Sequence, residues 1–275
     1  MSHDPLISAN KAIALLENGT AQFIDATWTF EGGPQPKTDA VIPGAIPFDI
    51  DMVKDPTNPL PHMLPTPEDF AGHLARLGID PSRPQVIYDR IGLFSAPRVW
   101  WMFRAMGIDT RILDGGMPAW LAAGRAQGIT VHANNSARSP ETAFRPALKA
   151  DFESVNAAID TGSAQIVDVR PATRFSGETP EPRAGLACGH MPGAISAPFT
   201  ELINPDWTMK SLVELKDIFK GRGVDLARPI ITSCGSGVTA CITALALARL
   251  GIEAAVYDGS WVEWGSRPGA RIERG

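Results

Sequence analysis

Short apolar runs ending in polar residues recur along the chain, and the same series of runs occurs twice. Ala21-Gln22-Phe23-Ile24-Asp25-Ala26 reads as an apolar strand closing on Asp, and Ala164-Gln165-Ile166-Val167-Asp168-Val169 repeats it. Pro43-Gly44-Ala45-Ile46 returns as Pro192-Gly193-Ala194-Ile195. Val86-Ile87-Tyr88-Asp89 returns as Ile230-Ile231-Thr232-Ser233-Cys234, each followed by a loop and a predicted helix, Ala96 to Met106 and Val238 to Leu250. Both helices run into Gly-Ile, at Gly107-Ile108 and Gly251-Ile252, the pattern of a helix C-cap before a new strand. Arg111-Ile112-Leu113-Asp114-Gly115-Gly116 returns as Ala255-Val256-Tyr257-Asp258-Gly259-Ser260, and a Trp follows each Asp by six positions, at Trp120 and Trp264.

Four landmarks in one order at similar spacings predict an internal duplication. Short apolar strands alternating with helical stretches predict an α/β fold. Each copy should be a parallel sheet covered by helices. The expected domains are 5–123 and 150–273. The polar, irregular stretch 124–149, with Asn134-Asn135-Ser136-Ala137-Arg138-Ser139-Pro140, is the expected linker.

The copies differ where a parallel sheet places chemistry. Ligands bind outside the carboxyl ends of the strands in open α/β sheets. There the first copy has Asp89 and the second has Cys234. The run Gly235-Ser236-Gly237 after Cys234 can curl so that its backbone N–H groups form an anion nest. The N-terminal end of the following helix adds positive potential. Both would stabilise a thiolate, and equally the anionic outer sulfur of a persulfide. Cys234 is therefore the candidate nucleophile, and the first copy is a scaffold without one. Cys241, flanked by Ala240 and Ile242 inside the predicted helix, reads as core, and Cys188 as an oxidisable loop residue. A cysteine phosphatase would need Arg six residues after the nucleophile to clamp phosphate, but that position is Ala240.

Composition narrows the function classes. The 275 residues include 44% apolar and 20% charged residues and carry a net charge of −5, ordinary for a globular protein and without the basic footprint of nucleic-acid binding. Three cysteines with no CxxC pair argue against a disulfide framework or a structural zinc site. No apolar run is long enough to span a membrane, and Met1-Ser2-His3-Asp4-Pro5-Leu6 does not read as a secretory signal. A cytoplasmic location is expected, with neither nucleic acid nor membrane as partner.

With these residues in view, the chain from about Pro5 to Arg271 resembles the two-domain rhodanese-fold sulfurtransferases, including their inactive N-terminal copy. The loop Cys234-Gly235-Ser236-Gly237-Val238-Thr239 resembles that of the 3-mercaptopyruvate sulfurtransferases. Thiosulfate sulfurtransferases usually carry basic residues there (Cys-Arg-Lys-Gly-Val-Thr). A neutral loop suits a monocarboxylate donor better than the thiosulfate dianion. The resemblance implies sulfur transfer from 3-mercaptopyruvate through a Cys234 persulfide to cyanide or a thiol such as thioredoxin, with pyruvate released. Thiosulfate transfer and a persulfide-carrier module are the alternatives. It implies no metal or organic cofactor. Two fused copies can cover each other's interface, so a monomer is expected. It assigns donor binding to Arg174, Arg183, Gly235, Gly237, Val238 and Thr239. Arg170, nearer the strand, reads as structural. It also implies a relay of Ser236, His62 and Asp51, the last two from the first copy, which would put the site in a cleft between domains. Some relatives have Tyr where Phe94 stands, so a role for that hydroxyl is absent. Some animal relatives have a second cysteine where Ser233 stands, so a redox switch through that neighbour is not expected.

Overall fold

The computed structural model describes residues 4–36, 38–124, 128 and 142–275, so most of the expected linker at 124–149 lies outside the described residues. Two compact units result: Met1–Thr57 with Leu64–Arg145 and Ile203–Met209, and Asn58–Met63 with Pro146–Leu202 and Lys210–Gly275.

The first unit runs β1 (Leu6–Ile7), α1 (Ala9–Glu17), β2 (Gln22–Asp25), β3 (Ile46–Pro47), α2 (Pro67–Leu77), β4 (Gln85–Tyr88), α3 (Ala96–Ala105), β5 (Arg111–Leu113) and α4 (Gly116–Ala122). The second runs β6 (Lys149–Ala150), α5 (Phe152–Thr161), β7 (Gln165–Asp168), α6 (Ala172–Phe175), β8 (Ile195–Ser196), α7 (Leu212–Gly221), β9 (Ile230–Ser233), α8 (Ala240–Arg249), β10 (Ala255–Tyr257) and α9 (Ser260–Trp264). The sheets have the orders β1-β5-β4-β2-β3 and β6-β10-β9-β7-β8, the same topology twice, with all strands parallel. β2, β4, β7 and β9 are buried over most of their length because helices cover both faces of a parallel sheet.

The duplication extends to single hydrogen bonds. Gln22 Nε2 donates to Gly78 O at 2.9 Å and Gln165 Nε2 to Asp225 O at 2.8 Å. In return the Gln22 amide oxygen accepts from Asp80 N and that of Gln165 from Asp225 N. Trp120 and Trp264, at matching positions, are buried in the two separate cores.

Local chemistry explains where the helices begin and end. Ser211 and Glu214 form a capping box at the start of α7, and Asp151 with Ser154 does the same for α5. After α3 and α8, Gly107 and Gly251 take φ of 76° and 79°, and Ile108 N and Ile252 N return to carbonyls of the last turn. This is the expected glycine stop. The expected helix from Val238 starts at Ala240 instead, because Val238 and Thr239 complete the loop that follows Cys234. Trp100 and Trp101 are buried on α3, with the Arg98 guanidinium 4.5 Å from the Trp101 ring centre. No helix among the described residues is long and apolar enough to cross a membrane.

Candidate active site

β9 delivers Cys234 to the carboxyl edge of the second sheet. Parallel pairing of β7 with β9 sets Asp168 opposite Ser233, the residue before Cys234. Val169 N donates to Ser233 O at 2.9 Å, so the chain leaving β7 starts beside the Cys234 loop. Cys234 is buried, as are Ser236, Gly237 and Val238, while Gly235 and Thr239 are partly open. Gly237 has φ 78°, a left-handed turn that favours glycine, and Thr239 stands at the residue before α8 without a side-chain capping bond. Cys241 is fully buried within α8 and its thiol donates to Gly237 O at 3.3 Å, as its reading as a core residue requires.

The first unit shows what this loop does when its own side chain is an anion. Asp89 stands at the Cys234 position, fully buried. Its Oδ1 accepts from Ile91 N at 3.0 Å and Gly92 N at 2.6 Å, and its Oδ2 from Phe94 N, Ser95 N and Ala96 N at 2.9, 3.0 and 2.9 Å. Burial pushes the Asp89 carboxyl above its ordinary value, against the pull of these backbone bonds. Every partner is a donor, which is the environment of a carboxylate. The strand-to-helix loop is thus an anion nest in the first unit, filled by its own side chain.

A second support for Cys234 was not apparent from the sequence. Cys234 N donates to Ser260 Oγ at 3.1 Å, and Ser260 Oγ donates to Tyr257 O at 2.8 Å. Trp261 N and Val262 N return to Cys234 O and Gly235 O at 3.0 and 2.8 Å. Ser260 has φ 48°. Left-handed backbone costs a serine about 1–2 kcal/mol. In the first unit the same position is Gly116, also left-handed at φ 54°, where a Cβ would collide with the backbone of Asp89 and Gly92. The contrast between Asp-Gly-Gly and Asp-Gly-Ser in the repeat was the signal available.

Facing the loop is a chain of alternating charges. Asp168 Oδ2 accepts from Arg170 Nη2 at 2.6 Å, and Arg170 Nη1 donates to Glu181 Oε1 at 2.7 Å. Glu181 also receives Arg174, through Nε at 3.2 Å and through a close Nη2 contact. Arg170 is buried 4.1 Å from the Trp261 ring centre. Burial opposes its charge, but the Asp168 and Glu181 carboxylates outweigh that and hold the guanidinium above its ordinary value. Arg174 is partly open, and its Nη2 lies 3.1 Å from where a Cβ on Gly235 would be. Gly235 therefore gives this guanidinium room against the Cys234 loop. Arg174 rides on α6, an element the first unit lacks among its described residues. Phe175 anchors α6 by stacking on His190 at 3.8 Å, with its carbonyl 2.9 Å from His190 Nδ1. Arg183 lies exposed on the same loop, and Cys188 is partly open.

His62 is buried with φ 59°, in the short segment Asn58–Met63 that belongs to the second unit together with Cys234 and Ser236. Asp51 belongs to the first unit, where its Oδ2 accepts from Trp28 Nε1 at 2.8 Å. Phe94 is buried between Trp28 and Trp207, at ring-centre distances of 6.4 and 6.2 Å.

Comparison with known proteins decides the family. The model of the rhodanese-like domain matches residues 8–123 and 151–267. The chain belongs to the rhodanese-like family. Among rhodanese-like proteins it is 40% identical over 284 residues to the 3-mercaptopyruvate sulfurtransferase of Escherichia coli strain K12, covering 99% of each chain. It is 41% identical over 258 residues to the human 3-mercaptopyruvate sulfurtransferase, covering 88% of this chain and 84% of the human one. The thiosulfate/3-mercaptopyruvate sulfurtransferase 1 of Arabidopsis thaliana, a mitochondrial protein, is 38% identical, over 98% of this chain and 78% of that one. The crystal structure of SseA from Escherichia coli, a study of the rhodanese fold and catalytic mechanism of 3-mercaptopyruvate sulfotransferases, superposes with a TM-score of 0.83. It is 38% identical, covering 94% of this chain and 99% of that one. The two copies expected from the duplication, and the rhodanese fold expected from the resemblance, are both found.

Proposed function

We propose that this protein is a sulfurtransferase that takes sulfur from 3-mercaptopyruvate on Cys234 and passes it to a thiol or to cyanide. The observation that carries the reading is the Cys234 loop itself. It occupies the place where the sister copy gathers backbone N–H groups on a buried carboxylate, but it offers a thiol instead. The Cys234 thiolate attacks the sulfur of 3-mercaptopyruvate. The S–S bond forms as the C–S bond breaks, and the electron pair leaves with carbon as pyruvate enolate, which takes up a proton. The loop N–H groups and the start of α8 hold the anionic outer sulfur. An acceptor thiolate or cyanide then takes that sulfur and returns Cys234 to the thiolate, a ping-pong cycle.

Arg174, beside Gly235, pairs with the donor carboxylate, and Arg183 on the same loop is its proposed second contact. Gly235, Gly237, Val238 and Thr239 shape the floor. Ser236, His62 and Asp51 are the proposed relay that supplies the proton to the enolate. His62→Ala is expected to lower kcat by about 100-fold with KM little changed, as for loss of general acid–base help. An unchanged kcat would remove the relay. A monomer, a cytoplasmic location and thioredoxin as acceptor are proposed with the same reading.

A relative whose name covers both donors favours keeping thiosulfate as the second reading. The test is the ratio of kcat/KM for 3-mercaptopyruvate to that for thiosulfate, both with cyanide. A neutral loop is expected to give a ratio of about 10 or more. A ratio below one would favour thiosulfate, and turnover of neither donor would favour a carrier module.

A further inference from the structure

We infer that Glu181 is a specificity-determining positioning residue. It holds Arg174 against the Cys234 loop and cancels enough of its charge to fit the clamp to a monoanionic donor. The inference rests on Cys234 being the sulfur carrier and Arg174 its donor clamp.

Four observations support it. Glu181 is a buried carboxylate, a costly group to retain without partners. It receives both Arg170 and Arg174, so one side chain joins a fixed guanidinium to a partly open one. Arg170 is itself locked, by Asp168 and by Gly189 O at 2.8 Å, so Glu181 is anchored at its rear. Finally, Arg174 meets Glu181 through Nε and Nη2, which leaves its Nη1 end for a carboxylate while Nη2 stays beside Gly235.

Charge bookkeeping turns this geometry into a preference. Asp168, Arg170, Glu181 and Arg174 form a series of alternating sign that sums to zero. A donor at Arg174 therefore meets a cation backed by an anion one hydrogen bond away. That anion repels a dianion about twice as strongly as a monoanion, because Coulomb energy scales with ligand charge. Glu181 thus penalises thiosulfate relative to a keto acid, and does so from behind the contact. The neutral Gly235-Ser236-Gly237 loop and Glu181 act in the same direction.

The test compares kcat/KM for 3-mercaptopyruvate and for thiosulfate in the wild-type enzyme, Glu181→Gln and Glu181→Asp. Glu181→Gln keeps the shape and removes the charge. The thiosulfate-to-mercaptopyruvate ratio is expected to rise about tenfold. Glu181→Asp keeps the charge and withdraws the carboxylate. It is expected to raise KM for both donors and leave their ratio near the wild-type value. A plain folding defect would lower both donors together, so an unchanged ratio in Glu181→Gln overturns the inference. An equal shift of the ratio in Glu181→Asp overturns it as well. One further measurement needs no variant. In the wild-type enzyme pyruvate is expected to compete with the donor at lower concentration than sulfate does, and the reverse order counts against Glu181. A wild-type enzyme preferring thiosulfate would fail the donor reading above. A wild-type preference for 3-mercaptopyruvate with no Glu181→Gln shift would fail only the role given to Glu181.

Discussion

Cys234→Ser is expected to lower sulfur transfer from 3-mercaptopyruvate by on the order of 10⁴-fold or more, leaving the fold intact. Serine is nearly isosteric, so the buried site keeps its packing. The backbone bonds from Cys234 N to Ser260 and from Trp261 N to Cys234 O do not involve the side chain. What disappears is chemistry. A hydroxyl near its ordinary pKa is a poor nucleophile toward divalent sulfur, and no persulfide can form on oxygen. Nucleophile deletions in covalent enzymes cost factors of this size. The melting temperature is expected to stay within about 2 °C of the wild type, since the change in packing is small. Residual activity above about one percent of wild type would mean that another thiol, Cys188 being the partly open one, carries the sulfur.

The second large effect is on stability and belongs to the copy without a thiol. Asp89→Ala is expected to destabilise the first unit by about 3 kcal/mol or more. The carboxylate is the acceptor for the N–H groups of Ile91, Gly92, Phe94, Ser95 and Ala96, in a fully buried place. Truncation leaves these donors without it, at about 1–3 kcal/mol for each one that water cannot reach. Water entering the vacated space recovers part of the loss, which is why the expected figure is well below the sum. For a unit of this size the loss corresponds to a fall of about 10 °C or more in its thermal transition. Asp89→Asn places an amide donor against other donors and is expected to fall in the same direction. A calorimetric scan of both variants decides it, and unchanged transitions would mean that the nest does not hold the loop. The contrast with Cys234 is instructive. In the first unit the loop is stabilised by its own carboxylate, and under the proposed function the Cys234 loop holds an anionic outer sulfur instead.

Much of this was legible in the sequence because the repeat reports on itself. Paired landmarks at Asp25 and Asp168, Asp89 and Cys234, and Trp120 and Trp264 lay out the same series of elements twice, and the two sheets share one strand order. The position of Cys234 at a strand end followed from the same alignment. Glu181 was not legible as a working residue, because a glutamate in a polar loop reads as solvated until its burial between two guanidinium groups is seen. Ser260 was hidden for a different reason. Its role lies in an unusual backbone angle and one hydrogen bond, and neither has a periodic signature. His62 lies in an irregular Pro-rich stretch, where hydrophobic periodicity gives no guide to which unit the segment joins.

Whether Cys234 carries the sulfur is read from the mass of the protein after brief exposure to 3-mercaptopyruvate without an acceptor, followed by peptide mapping. The expected result is a gain of one sulfur atom, located on the peptide carrying Cys234, removed by cyanide and absent from Cys234→Ser. Pyruvate release at the wild-type rate with no sulfur retained on Cys234, or with the sulfur located on Cys188, would mean that Cys234 is not the sulfur carrier.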